Sequence, residues 1–201
     1  MNLTADRIDA MQELINIGVR RAASVLNEMI DAQISLQIRH IKIKSVRELQ
    51  RELEMHLGGK RVAAVLQDFS GPFSGIAELV FPTDSASNLA AILTGEELGT
   101  PDLDAVRIST LSEVGNILIN CVIGSIGNLV NQTLFYELPA YLEDTVENLL
   151  NYKDNGTYKT MLLAQTQFAI EQHHIRGDII LIFEVNSFDF LMSAIAEELC
   201  G

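Results

Sequence analysis

Two stretches of this chain repeat their apolar residues every three or four positions, the spacing that gathers side chains on one face of a helix. In the first, Ile8, Met11, Ile15, Val19, Ala22 and Leu26 form a stripe; in the second, Leu111, Val114, Leu118, Val122 and Leu129 do so. The pattern predicts two long helices, each burying that stripe. Elsewhere the pattern is that of strands: ISLQIRHIKI (Ile34 to Ile43) alternates, while VAAVL (Val62 to Leu66), IAELVF (Ile76 to Phe81) and IILIF (Ile179 to Phe183) are apolar runs. After Pro82, the residues Thr83, Asp84 and Ser85 are cap candidates for a helix that Gly95 stops, and a counterpart helix is expected from near Ser187. GEELGTPDLD (Gly95 to Asp104) is polar with Gly and Pro, and reads as a connector.

The two long helices belong to a repeat. Setting position n against n + 100 lays DAMQELINI (Asp9 to Ile17) over STLSEVGNI (Ser109 to Ile117), which matches Glu13 with Glu113 and Asn16 with Asn116. The offset continues through Ile34 on Leu134 and Val46 on Val146, and shifts to n + 102 where GIAELVF (Gly75 to Phe81) lies over GDIILIF (Gly177 to Phe183). Each half then reads as long helix, strand, connecting segment, two strands and terminal helix. Neither closes a core alone, so the expectation is one α+β domain over 1–201, built of pseudo-symmetric halves at about 1–100 and 101–201.

Composition narrows the chemistry. At 201 residues and 48% hydrophobic content the chain can bury a substantial core, but aromatics make up only 6% and Trp is absent, which gives no support to a ligand-stacking cleft. A net charge of −13 repels phosphate backbones and anionic membranes, so no nucleic-acid partner is expected. The apolar region near Ile117 to Val130 is interrupted by Asn120, Gly124 and Asn128, and no signal peptide or membrane insertion is read. Two cysteines, Cys121 and Cys200, make neither a disulfide framework nor a metal-ligand spacing, which fits a reducing cytoplasm. The sequons at Asn2, Asn131 and Asn155 are discounted as chance triplets.

Off the buried stripes, Glu13 and Asn16 share the flank with Asp9, Arg20 and Asn27, and Ser109, Glu113, Asn116 and Asn120 do so on the second helix, continued by Gly124 and Gly127. Those glycines answer either to close packing or to a docked partner. A Glu and an Asn three apart usually serve only solubility, and shared ancestry alone could match two copies; yet these are the only Glu-x-x-Asn occurrences in the chain, at the same point of both repeats. A carboxamide has no useful pKa and is no nucleophile, but it can orient a water through hydrogen bonds. Hydrolysis of an already reactive phosphoryl bond needs little more.

At these residues the sequence resembles the CheC/CheX/FliY family of bacterial chemotaxis phosphatases, whose motif runs Asp or Ser, three residues, Glu, two residues, Asn, twenty-two residues and Pro. Ser109, Glu113, Asn116 and Pro139 follow it, as do Asp9, Glu13 and Asn16, but Arg39 stands at the first proline position and NIGVRRAASVL places Arg20 and Arg21 where a Gly/Ala-rich run is common. LTGEE (Leu93 to Glu97) is also similar, and the two-copy layout, which covers essentially the whole chain, resembles the CheC type more than the single-motif CheX type. The resemblance implies a central, mostly antiparallel sheet with two long active-site helices, and dephosphorylation of a CheY-type response regulator. Asn16 or Asn116 would orient the attacking water and Glu13 or Glu113 would pair with the regulator's lysine. The magnesium would belong to the regulator, with no cofactor or metal of this chain's own. Members of this layout also bind the receptor deamidase CheD, an interface no sequence feature here establishes. The alternative is a non-catalytic adaptor or flagellar-switch component binding the regulator through the same faces.

Other candidates have plainer readings. His173 and His174 point different ways in a strand or turn, His40 and His56 are isolated, and Cys121 has no positioned His. Glu96/Glu97 and Glu197/Glu198 read as solvated helix ends, and Gly58-Gly59 and Gly71-Pro72 as turns.

Overall fold

The computed structural model describes residues 5–30, 35–44, 46–57, 61–98, 104–151, 161–170, 173–184, 187, 190, 191, 193 and 194. Helix α1 (Ala5–Ile30) is followed by β1 (Ser35–Lys44), α2 (Val46–Leu57), the hairpin of β2 (Val62–Ser70) and β3 (Gly75–Pro82), and α3 (Thr83–Thr94). The second half runs α4 (Ala105–Leu129), β4 (Phe135–Tyr136), β5 (Ala140–Asp144), α5 (Val146–Asn151), β6 (Met161–Ile170) and β7 (Ile175–Glu184). Residues 187, 190, 191, 193 and 194 are helical, where a terminal helix is expected from Ser187.

The seven strands form one antiparallel sheet in the order β1-β6-β7-β3-β2-β4, with β5 beside β4 on the outer side of β2. The halves meet at the central β3–β7 ladder, where Glu78 lies opposite Ile180, its own counterpart under the offset of 102. Each half lends its first strand to the other: β1 pairs with β6, and β5 with β2.

Alternation along the strands sends two sets of side chains to opposite faces. Ala63, Val65, Phe69, Ala77, Leu79, Phe81, Ile179, Leu181 and Phe183 meet the stripes of α1 and α4 in the larger core, with α3 residues Ala86, Leu89 and Ala90. Val62, Ala64, Leu66, Ile76, Val80, Ile180 and Ile182 pack with Leu53 and Leu57 of α2 and Val146, Leu149 and Leu150 of α5. Both predicted stripes are buried at Met11, Ile15, Val19, Ala22 and Leu26 and at Leu111, Val114, Leu118 and Val122; Leu129, in the last turn of α4, is 38% exposed instead. Helix α4 is long and apolar enough to cross a membrane by length and composition, but its apolar side packs on α1, α3 and the sheet.

The helix ends follow their chemistry. Asp104 caps α4 by accepting the Arg107 backbone N–H at 2.9 Å. Pro82 precedes α3 without a side-chain cap, and Gly95, at φ 73, stops that helix as expected. Glu96 and Glu97 are exposed, as expected of a helix end, and Glu96 also pairs with the guanidinium of Arg107, whose side chain is buried, and so ties the end of α3 to the start of α4.

Helices α1 and α4 approach closely at Gly18, where a Cβ would sit 2.7 Å from the Val122 carbonyl oxygen. Gly124 differs, since a Cβ there would meet only the Tyr136 hydroxyl at 3.5 Å. On the opposite side of the sheet Glu78 is buried, and burial pushes its carboxyl up to about 7.

Gly18→Ala should lower stability by about 1–2 kcal/mol, because overpacking against backbone outweighs the gain in helix propensity, whereas Gly124→Ala should be neutral or stabilising. Urea unfolding of the two variants checks this, and equal effects would refute the close approach. The same measurement tests Glu78. Its carboxyl holds a proton up to about 7 in the folded chain and ionises near 4.5 when unfolded, so the folded state binds more protons between those values and stability falls as pH rises through that window. Glu78→Gln should flatten the fall and raise stability at about pH 8 by on the order of 2–3 kcal/mol.

Candidate functional site

Both Glu-x-x-Asn pairs lie on described parts of α1 and α4. Glu113 and Ser109 are exposed and Asn116 is half-buried, one turn on from Glu113. Glu13 and Asp9 are likewise exposed and Asn16 half-buried. The two sites differ in what surrounds the amide.

At the second site the Asn116 carbonyl oxygen accepts two hydrogen bonds, from Gln67 Nε2 at 3.0 Å and from Asn120 Nδ2 at 2.9 Å. Both lone pairs are then used, which leaves the Asn116 NH2 group to face outward. Gln67 comes from β2, where it is the buried polar residue that follows the apolar run Val62–Leu66. Its second N–H donates to the Glu137 backbone carbonyl at 3.0 Å. Asn120 is half-buried on the same flank as Asn116, as helical spacing suggests, and turns its NH2 to it. Gln67 Oε1 and Asn120 Oδ1 are buried with no hydrogen-bond partner among the described residues.

The Glu137 carbonyl is available because of a break in the edge strand. β5 pairs Ala140 with Leu66 and β4 pairs Tyr136 with Phe69, so Glu137, Leu138 and Pro139 span only Gln67 and Asp68. This is a one-residue bulge, and it holds the motif proline, which has no N–H to give a ladder. The Glu137 N–H still donates to Asp68 O at 3.0 Å, while its carbonyl turns to the Gln67 side chain. On either side of this carbonyl Phe135 and Leu138 are 68% and 90% exposed.

The first half keeps the bulge without the proline. The β1–β6 register shifts between Ile38 and His40, so Arg39 is the extra residue there, as Pro139 is in the second half. The strand offsets place Thr166 at the first site where the second site has Gln67, and Arg20 where it has Asn120. Arg20 lies 3.8 Å from the Glu13 carboxylate, an exposed pair.

The remaining candidates keep plain roles. Gly127 is buried and packed against Leu134 and the Gln132 carbonyl, which settles it as close packing; Gly124 sits near Tyr136. Cys121 is half-buried and burial pushes its thiol up, as suits a packing residue. His174, at φ 53, is in the turn before β7. Gly58, Gly59, Glu197, Glu198 and the side chains of His40 and His56 lie outside the described residues, as does Cys200. Among the described residues no three His, Cys, Asp or Glu side chains are grouped to hold a metal ion.

No protein-family model matches the chain. CheY-P phosphatase CheC of Bacillus subtilis (strain 168) is similar to it end to end, 22% identical over 208 aligned residues that cover 96% of each protein. Among solved structures, FliY of Thermotoga maritima superposes with a TM-score of 0.79 at 16% identity, over 98% of this chain and 100% of that one. The chain is thus similar along its length to a CheC protein and shares the fold of FliY. The same fold recurs in the FliM middle domain of H. pylori, with a TM-score of 0.71 at 11% identity over 96% of this chain and 99% of that one. It is found again in CheX of Borrelia burgdorferi, solved with CheY, BeF3 and Mg2+, with a TM-score of 0.58 at 18% identity over 85% and 97%. Within the motif of the CheC/CheX/FliY family the spacing marks Ser109, Glu113, Asn116 and Pro139. Gln67 and Glu137 fall outside it, and the one sequence sign of Gln67 is a carboxamide directly after an apolar strand run.

Proposed function

We propose that this protein is a phosphatase of the aspartyl phosphate on a CheY-type receiver domain, acting through α4. The carrying observation is that the Asn116 amide is held by two donors on its oxygen, beside an exposed Glu113, with its NH2 group left for the partner. In this reading Glu113 pairs with a lysine of the receiver and fixes the docking register, while the Asn116 N–H holds a water in line with phosphorus. The water oxygen bonds to phosphorus and the bond from phosphorus to the aspartate oxygen breaks. One proton of the water stays on the phosphate and the other passes to solvent, so the products are inorganic phosphate and a free carboxylate. The magnesium at the phosphoryl group belongs to the receiver, and both proteins meet in the cytoplasm. The CheC relative and the CheX–CheY structure support this substrate.

The first site contributes less in this reading, because Arg20 competes for the Glu13 carboxylate and Asn16 has no carboxamides at the places of Gln67 and Asn120. The FliM likeness favours a second reading, a flagellar-switch adaptor that binds the regulator without hydrolysing its phosphate.

The decay of a labelled phospho-receiver, with this protein in catalytic amount, separates the two. Wild type should accelerate decay, Asn116→Ala should reduce kcat by about 100-fold or more, and Asn16→Ala should change it little. Binding without faster decay across the cognate regulators would leave the adaptor. Leu138→Asp should raise KM about tenfold at constant kcat if the exposed Phe135–Leu138 segment touches the receiver; an unchanged KM would remove that segment from the interface.

A further inference from the structure

We propose that Gln67 and Asn120 are positioning residues, and that the bulge at Pro139 supplies the anchor that sets the polarity of the whole group. The reasoning starts from the one member that cannot be reversed. The Glu137 backbone carbonyl only accepts, so the Gln67 group 3.0 Å from it is the NH2. That NH2 also lies 3.0 Å from Asn116, whose facing atom is then the carbonyl oxygen. Asn120, 2.9 Å from the same oxygen, donates in turn. Each amide orientation follows from the one before it, and the series ends with the Asn116 nitrogen turned outward. Rotating Asn116 by half a turn would set its NH2 against the Gln67 NH2, which the Glu137 carbonyl keeps from turning, so the wrong face is disfavoured before a partner arrives.

The arrangement uses its polar atoms sparingly, with Gln67 Oε1 and Asn120 Oδ1 left buried and unpaired among the described residues. What orients Asn116 is the pair of donors aimed at its oxygen. The same logic assigns the motif proline a physical task. At the bulge, Pro139 offers no N–H to the ladder and favours an extended Leu138, so the Glu137 carbonyl leaves the strand pairing and meets a side chain. Arg39 fills the corresponding bulge of the first half, and Thr166 and Arg20 stand in place of the two carboxamides.

The kinetic test rests on the phosphatase reading, and a spectroscopic one does not. In Gln67→Met and Asn120→Ala, kcat for receiver dephosphorylation should fall about 10- to 100-fold with KM within about twofold and the urea midpoint nearly unchanged. In 15N-labelled protein the Asn116 side-chain NH2 signals, identified by their loss in Asn116→Ala, should move in both variants, since the oxygen of the same amide loses a donor. An unchanged kcat in a folded Gln67→Met protein overturns the proposal, as do Asn116 signals that stay at their wild-type positions. If wild type leaves phospho-receiver decay unaltered, the phosphatase reading fails, and the NH2 signals alone decide whether Gln67 and Asn120 orient Asn116.

Discussion

The β3–β7 ladder is the pairing on which the rest of this fold depends. It joins the two halves at the centre of the sheet, with Glu78 opposite Ile180 at the pseudo-symmetric point, and it lets each half place its first strand on the far side of the other. Without it the hairpins β2–β3 and β6–β7, each carrying a strand of the other half, would not form one sheet, and the stripes of α1 and α4 would lose the single surface that covers both. Backbone hydrogen bonds and apolar burial are thus satisfied jointly, by strands from both halves. A buried carboxyl at this point, opposed by an aliphatic residue, breaks the symmetry of an otherwise matched pairing and ties folding to proton uptake.

The helices laid on this sheet inherit its geometry. Gly18 allows α1 to reach the backbone of α4 at Val122, and Gly115 meets Val65 of β2 with no room for a Cβ. These close approaches bring the flank of α4 over β2, near enough for a strand residue, Gln67, to reach an amide on the helix. Precision of this kind comes from packed elements, where neither partner can drift. The amide of Asn116 is consequently oriented by groups on a helix, a strand and an edge-strand bulge.

Duplication copied the scaffold more faithfully than the site. Both edge strands keep a one-residue bulge at corresponding places, and both long helices keep a Glu and an Asn on the flank. The side chains that act on the amide changed. Arg20 near Glu13 shows how one substitution on the same helix face redirects a carboxylate, although an exposed pair of this length contributes little to stability. A shared fold therefore says little about equal activity at the two sites.

Much was legible in the chain alone. The apolar periods located both long helices, the strand runs located β1, β2, β3 and β7, and Gly95 marked the end of α3, because each of these depends on residues near one another in sequence. The Glu-x-x-Asn pairs were visible for the same reason, being one turn of a helix. Helical spacing misjudged Leu129, since it knows only one helix at a time and not the open surface that this residue meets. Gln67 and Asn116 are 49 residues apart, and Gln67 and Glu137 are 70 apart. Their meeting depends on strand register, on a bulge in the edge strand and on the seat of α4 over β2. The sequence by itself determined the elements, the repeat and which residues could do the chemistry; only the tertiary structure decided which way the Asn116 amide points, because that rests on a donor from β2 that is itself held by a carbonyl of the edge-strand bulge, both far from Asn116 in sequence.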